Sequence, residues 1–262
     1  MSTLTGRTAL VTGSTSGIGK AIALSLAEQG CRIMINGIDG PQALEAAREE
    51  MLAAGAQKVA LSDHNLLEPV TAGDLIAMTR STLGGLHILV NNAGIQHVAP
   101  VDSFTDGHWD RIIGLNLSAP FRLIRHALPV MRDGGWGRII NIASVHGLVA
   151  SVNKSAYIAA KHGLVGLTKT VALETAAEPV TCNAICPGYV RSALLESQIL
   201  DYAAVHNLEL DEAAKSFLRE KQPSENFVSP SDIGALALFL CSDAAAQITG
   251  AAFPIDGGWT AA

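Results

Sequence analysis

Residues 8–30 read TALVTGSTSGIGKAIALSLAEQG. TALVTG is a continuous apolar run ending in glycine, as expected of a strand buried on both faces. GKAIALSLAEQG (19–30) follows with apolar residues at helical spacing and a glycine stop. The turn between them is TGSTSGIG (12–19). There Gly13 permits a tight reversal, Gly17 lets main chain approach a pyrophosphate, and Gly19 allows close helix packing. A helix starting at that turn presents unpaired N–H groups and the positive end of its dipole to an anion. The glycines alone would equally suit an ordinary strand–helix turn, so their place in the chain carries more weight than the string.

The same rhythm runs outward from this unit. CRIMING (31–37) reads as a strand and PQALEAAREEMLAAG (41–55) as a helix opened by proline. KVALSD, HILVNNAG, GRIINIAS, VTCNAICPG and AAFPIDGG supply further strands, with helical or loop segments between them. Such alternation predicts an α/β protein with a Rossmann-like, doubly wound parallel sheet, as a single domain over residues 1–262. Residues 189–228 break the rhythm with a polar, helical, charge-rich stretch between two strands. It reads as a helical excursion from the sheet, either a lid over a site or a solvated pair of surface helices.

Composition narrows the function. Of 262 residues 48% are hydrophobic and 16% charged, so one sizeable core is expected. A formal net charge of -6 and the lack of Lys or Arg runs argue against nucleic acid as a partner. No apolar segment approaches the ~18 residues of a membrane span, and the first residues lack the pattern of a secretory signal. The expected location is cytoplasmic. Cys31, Cys182, Cys186 and Cys241 lack redox or zinc spacing and are expected to be buried free thiols. His64, His87, His97, His108, His126, His162 and His206 show no ligand spacing either, so no metal centre is expected.

The chemistry concentrates in SVHGLVASVNKSAYIAAKHG (144–163). Tyr157 and Lys161 stand four apart and share a helix face. A tyrosine of pKa near ~10 needs help to act as a base at neutral pH. An ammonium beside it favours the phenolate, which can then take an alcohol proton. Ser144 offers a hydroxyl to orient the substrate oxygen. TGxxxGxG, NNAG (91–94), Asn116, Ser144 and YxxxK (157–161) occur in one order, and together they resemble the short-chain dehydrogenase/reductase family over essentially the whole chain.

That resemblance implies catalytic roles for Ser144, Tyr157 and Lys161, with Asn116 holding a proton-relay water. It places the dinucleotide against Gly13, Thr15, Ser16, Gly17, Ile18 and Gly19, then Asn65 and Leu66, then Asn92, Ala93 and Gly94, with Tyr157, Lys161, Pro187, Gly188 and Val190. NAGIQH, ICPGYVR, EKQPS and DGGW resemble members that oxidise (R)-3-hydroxybutyrate to acetoacetate. In them Gln96, His146, Lys154, Gln198 and Trp259 match substrate-pocket positions. The chemistry agrees: a small 3-hydroxy acid needs a cation and donors for its carboxylate. Lys154 offers the charge, and His146, Gln96 and Gln198 offer donors. The family is usually tetrameric, so a homotetramer is expected. Rival readings are a reductase of a 3-oxoacyl thioester, a sugar dehydrogenase, or a non-catalytic dinucleotide-binding sensor.

For the cofactor, Asn36-Gly37 and Ser16 bring no cation for a 2′-phosphate, which points to NAD. The acid often found at the end of the second strand is missing, and Asp39 lies three residues beyond Asn36. Asn65 stands where relatives carry Asp toward the adenine amino group, a bond that an asparagine oxygen can still accept.

Overall fold

The computed structural model describes residues 4–191 and 193–261, apart from the side chains at positions 193, 194, 197 and 198. Seven strands form one parallel sheet in the order β3-β2-β1-β4-β5-β6-β7. They are β1 (Thr8–Thr12), β2 (Arg32–Asn36), β3 (Lys58–Ser62), β4 (Ile88–Asn91), β5 (Gly137–Ile142), β6 (Val180–Pro187) and β7 (Ala252–Ile255). The order reverses between β1 and β4, so the chain leaves these neighbours in opposite directions and opens a crevice at their carboxyl ends.

Among the described residues there are nine α-helices: α1 (Gly17–Ala27), α2 (Pro41–Ala53), α3 (Thr71–Leu83), α4 (Asp106–Ile113), α5 (Ala119–Asp133), α6 (Ser155–Glu174), α7 (Ala193–His206), α8 (Leu210–Arg219) and α9 (Pro230–Cys241), of which α7 and α8 pack on each other rather than on the sheet. Alternate strand residues feed the two layers. Ala9 and Val11 pack with Ile22 and Leu26 of α1, Leu44 and Met51 of α2, and Ile233 and Leu240 of α9. Leu10 points the other way, to Leu75 of α3, Leu123 of α5 and Val171 of α6. Each such side chain fully removed from water contributes roughly 1.5–3 kcal/mol. This two-sided demand explains why β1, β4, β5 and β6 are buried at every position rather than at alternate ones.

The excursion corrects one emphasis of the sequence reading. It is charged outside but has its own core, in which Leu195, Ile199, Ala203 and Ala213 pack with Tyr189, Tyr202 and Phe217. It therefore behaves as a small packed unit rather than two separately solvated helices. All four cysteines are free and buried, and burial pushes Cys31 to about 12 and Cys186 to about 11. Among the described residues no helix is long and apolar enough to cross a membrane, and no cluster of ligands could hold a metal ion.

Candidate active site

The crevice is a cleft of about 510 Å³ above the β1–β4 switch point. At one end lies the glycine turn. Gly13 and Gly17 have φ of 61° and 56°, in the left-handed region that only glycine adopts cheaply. A Cβ on Gly19 would come within 2.2 Å of the Gly13 carbonyl oxygen, so α1 can approach the turn only with glycine there. A Cβ on Gly17 would meet nothing within 4 Å, which leaves its surface open to a ligand. Ser16 caps α1 without a side-chain hydrogen bond, so the first turn keeps its donors for an anion. These features fit a dinucleotide pyrophosphate.

Polar side chains staple the next loop to this turn. The Thr12 hydroxyl donates to the Val90 carbonyl and accepts from Asn92 N (2.9 Å) and Ala93 N (3.0 Å). The Asn92 amide donates to the carbonyls of Thr12 and Gly13 at 2.9 and 3.0 Å. NNAG is thereby fixed against the glycine turn, and Asn92, Ala93, Gly94 and Gln96 all line the cleft. Thr15, Ser16, Ile18, Pro187, Gly188 and Val190 line it too.

Asn116 arrives by a local irregularity. Between α4 and α5 the helix widens into a π turn, Gly114–Ser118. The buried Asn116 amide then clamps Ile95 reciprocally: Oδ1 accepts from Ile95 N and Nδ2 donates to Ile95 O, both at 2.9 Å. Its side chain is spent on holding the loop after NNAG. The π turn has no plain signal in the sequence.

Ser144, Tyr157 and Lys161 converge as expected at the cleft floor. Ser144 follows β5 and caps a 3-10 turn, Val145–Gly147, its hydroxyl accepting from His146 N at 3.2 Å. Lys161 lies one turn below Tyr157 on α6, its Nζ 5.5 Å from the phenol ring centroid. The buried ammonium donates to the Ile142 carbonyl at 2.7 Å, and burial lowers its pKa to about 8. For Tyr157 the balance runs against the simple sequence argument. Burial raises the phenol above its ordinary value, and the opposing effect is a hydrogen bond with Ser144.

At the other end stands a cationic pocket. Lys154 precedes α6 and is half-buried, and burial lowers its pKa. Its ammonium makes no hydrogen bond or ion pair with any described residue. His146 is 5% exposed, and burial, followed by the Lys154 charge, lowers its pKa to about 4. It is a neutral imidazole at pH 7. Its ring meets Trp259 edge-on at 5.5 Å and Tyr157 at 6.2 Å.

Gly19, Asn65, Leu66 and Asn116 do not line the cleft wall; Gly19 and Asn116 act behind it, in the turn and the loop described above. Leu66 is 6% exposed and packs into the core under α3, so its side chain is committed to folding. The Asn65 Oδ1 accepts from Leu67 N at 3.2 Å, a local turn that engages the oxygen meant for adenine. The side chain of Gln198 lies outside the described residues. Conversely, the cleft includes Asp39, Tyr189, Arg191 and Leu195. The Thr15 hydroxyl donates to the Asp39 carboxylate and holds it beside the glycine turn. The acid missing from the end of β2 is thus supplied from three residues further on. An acid shortly after the second strand was the available signal.

A family model described as enoyl-(acyl carrier protein) reductase matches residues 13–260. The chain belongs to the short-chain dehydrogenase/reductase family. Within that family it is 50% identical to a D-beta-hydroxybutyrate dehydrogenase of Cupriavidus necator, over 98% of this chain and 99% of the relative. A D-beta-hydroxybutyrate dehydrogenase of Rhizobium meliloti is 48% identical over 97% of this chain and 99% of its own length. A crystal structure described as that of a short-chain alcohol dehydrogenase from Sinorhizobium meliloti superposes with a TM-score of 0.90 at 36% identity, covering 99% and 98% of the two chains. This short-chain dehydrogenase/reductase is an oxidoreductase, and its family works with a nicotinamide dinucleotide.

Proposed function

We propose that this enzyme interconverts (R)-3-hydroxybutyrate and acetoacetate with NAD. The observation that carries the reading is the unpaired Lys154 ammonium beside neutral His146, at the substrate end of the cleft. A half-buried cation with no carboxylate partner is costly until an anion arrives. A free hydroxy acid brings that anion, whereas a thioester or a sugar does not. The names of the two hydroxybutyrate dehydrogenase relatives support the same substrate. Gln96, Gln198 and Trp259 complete the pocket in this reading.

Ser144 holds the substrate oxygen, and Tyr157 takes the alcohol proton at its phenol oxygen. In the free enzyme burial keeps that phenol protonated, so the site is quiescent until positive charge gathers beneath it. The nicotinamide, when bound, supplies the hydride acceptor and part of that charge. Lys161 would supply the rest and hold the cofactor's ribose through N–H groups not used on Ile142. Asn116, whose amide clamps Ile95, holds the proton-relay water in this reading. Asp39 accepts from the adenosine ribose and repels a 2′-phosphate, which favours NAD. Residues 189–228 close as a lid over bound substrate, and the protein works in the cytoplasm as a homotetramer.

The test compares 3-hydroxybutyrate with its methyl ester in wild type and Lys154→Ala. Loss of a charge-assisted contact of about 1.5–3 kcal/mol lowers kcat/KM for the acid roughly ten- to hundredfold and spares the ester. Equal losses on both substrates would refute the carboxylate assignment.

A further inference from the structure

The segment EKQPS (220–224) has no role in the chemistry above, yet its glutamine is the most deeply buried polar residue of the excursion. Gln222 is 0% exposed, and a primary amide so placed must find partners for both ends. It does. Its Oε1 accepts from Tyr189 N at 2.9 Å, and its Nε2 donates to the Asn226 carbonyl. Tyr189 opens the excursion and Asn226 lies near its close. Beside this link Val228 N donates to the Tyr189 carbonyl at 2.8 Å, and Val190 bridges Val228. One buried amide therefore ties the two ends of the excursion at its root.

The space around it is fitted to that amide. A Cβ on Gly188 would lie 2.4 Å from the Gln222 Oε1, and one on Gly257 would lie 2.7 Å from its Cγ. The residue that the amide fixes is also a wall of the cleft. The Tyr189 ring packs against Trp259 in a tilted pair, centroids 4.7 Å apart, and Trp259 meets His146 in a T-shaped pair at 5.5 Å. On its other side Tyr189 packs at 5.2 Å on Phe217 of α8. The aromatic line thus runs from the excursion's core to the substrate pocket, and its position is set where Gln222 holds Tyr189.

We propose that Gln222 is a positioning residue for substrate binding: its buried amide locks the root of the 189–228 excursion so that Tyr189 and Trp259 hold His146 toward the acid. This rests on the hydroxy-acid and lid reading above. No hydrogen bond joins Gln222 to Ser144, Tyr157 or Lys161 among the described residues. Its loss should therefore appear in KM for substrate rather than in kcat.

The experiment uses Gln222→Met, which keeps side-chain length and removes both hydrogen bonds. KM for 3-hydroxybutyrate should rise about tenfold, the equivalent of one net hydrogen bond, with kcat within about threefold. An unchanged KM, or a fall in kcat as large as the rise in KM, would overturn the proposal.

Gln222→Glu decides the matter if the methionine variant does not fold. A protonated carboxyl can accept from Tyr189 N and donate to the Asn226 carbonyl, as the amide does. The ionised form has no proton to donate. The variant's KM should match wild type near about pH 6, where burial keeps the acid protonated, and rise toward about pH 8.5. A ratio flat with pH would count against positioning.

Hydrogen exchange of wild type with NAD and acetoacetate, an inert pair, tests the lid separately. Unaltered protection over 189–228 would remove the lid reading and leave the KM comparison to judge Gln222 as a fixed wall.

Discussion

Tyr157, Lys161 and His146 are each buried, and burial moves each toward its neutral form. Near pH 7 this leaves Tyr157 and His146 neutral, while Lys161, lowered only to about 8, remains an ammonium like Lys154. Tyr157→Phe keeps the packing ring and removes the proton acceptor, so NAD binding should persist while turnover falls ~10²- to 10⁴-fold. Steady-state assay beside a cofactor titration checks this, and near-normal turnover would end the tyrosine mechanism. His146 makes a further demand on stability. Its pKa is 6.5 in the unfolded chain and about 4 in the fold, so below pH 6.5 the unfolded state binds more protons. Its contribution is whole above pH 6.5 and lost as pH falls toward 4, to a total of about 3 kcal/mol. Urea unfolding from pH 7 to pH 4 should show this loss in wild type and a smaller one in His146→Gln. Identical slopes would mean that the imidazole is not held neutral.

At the level of elements, the site depends on where regular structure stops. β5 ends at Ile142, and its carbonyl receives Lys161. The π turn between α4 and α5 lets a helical asparagine grip the chain after NNAG. The loop after β2 matters in the same way, because it carries Asp39 back over the glycine turn. With a carboxylate there, a 2′-phosphate meets like charge, which costs several-fold or more in affinity. Wild type should prefer NAD, and Asp39→Ala should raise kcat/KM for NADP by about tenfold while lowering that for NAD. Equal efficiency of the two cofactors in wild type would overturn the cofactor assignment.

The whole molecule leaves apolar side chains uncovered on both layers. Phe121 on α5 is 47% exposed and Leu173 on α6 is 79%, and both helices lie on one side of the sheet. On the other side Phe239 of α9 is 44% exposed. If each of these two faces pairs with its own copy, a dimer of dimers results. Light scattering should give four times the 27.3 kDa chain mass, and Phe239→Glu should reduce the particle to half that mass. A monodisperse monomer would contradict the expected tetramer.

Sequence by itself determined the sheet, the glycine turn and the Ser144–Tyr157–Lys161 set. Each is written in short-range spacing: a run of buried residues, a strand–helix junction, or two side chains one helical turn apart. Lys154 and His146 are identified through the family resemblance, and both lie in the stretch between β5 and α6. Tertiary structure decided what depends on chain segments crossing in space. Asp39 counts because Thr15 reaches it, and Gln222 because Tyr189 and Asn226 come together around it. Leu66 adjoins Asn65 in the chain, but α3 draws its side chain into the core. The excursion looked like charged surface, since its apolar residues form a core only after α7 and α8 pack on each other. Local pattern fixes an element and its faces, but only packing decides which face meets the substrate.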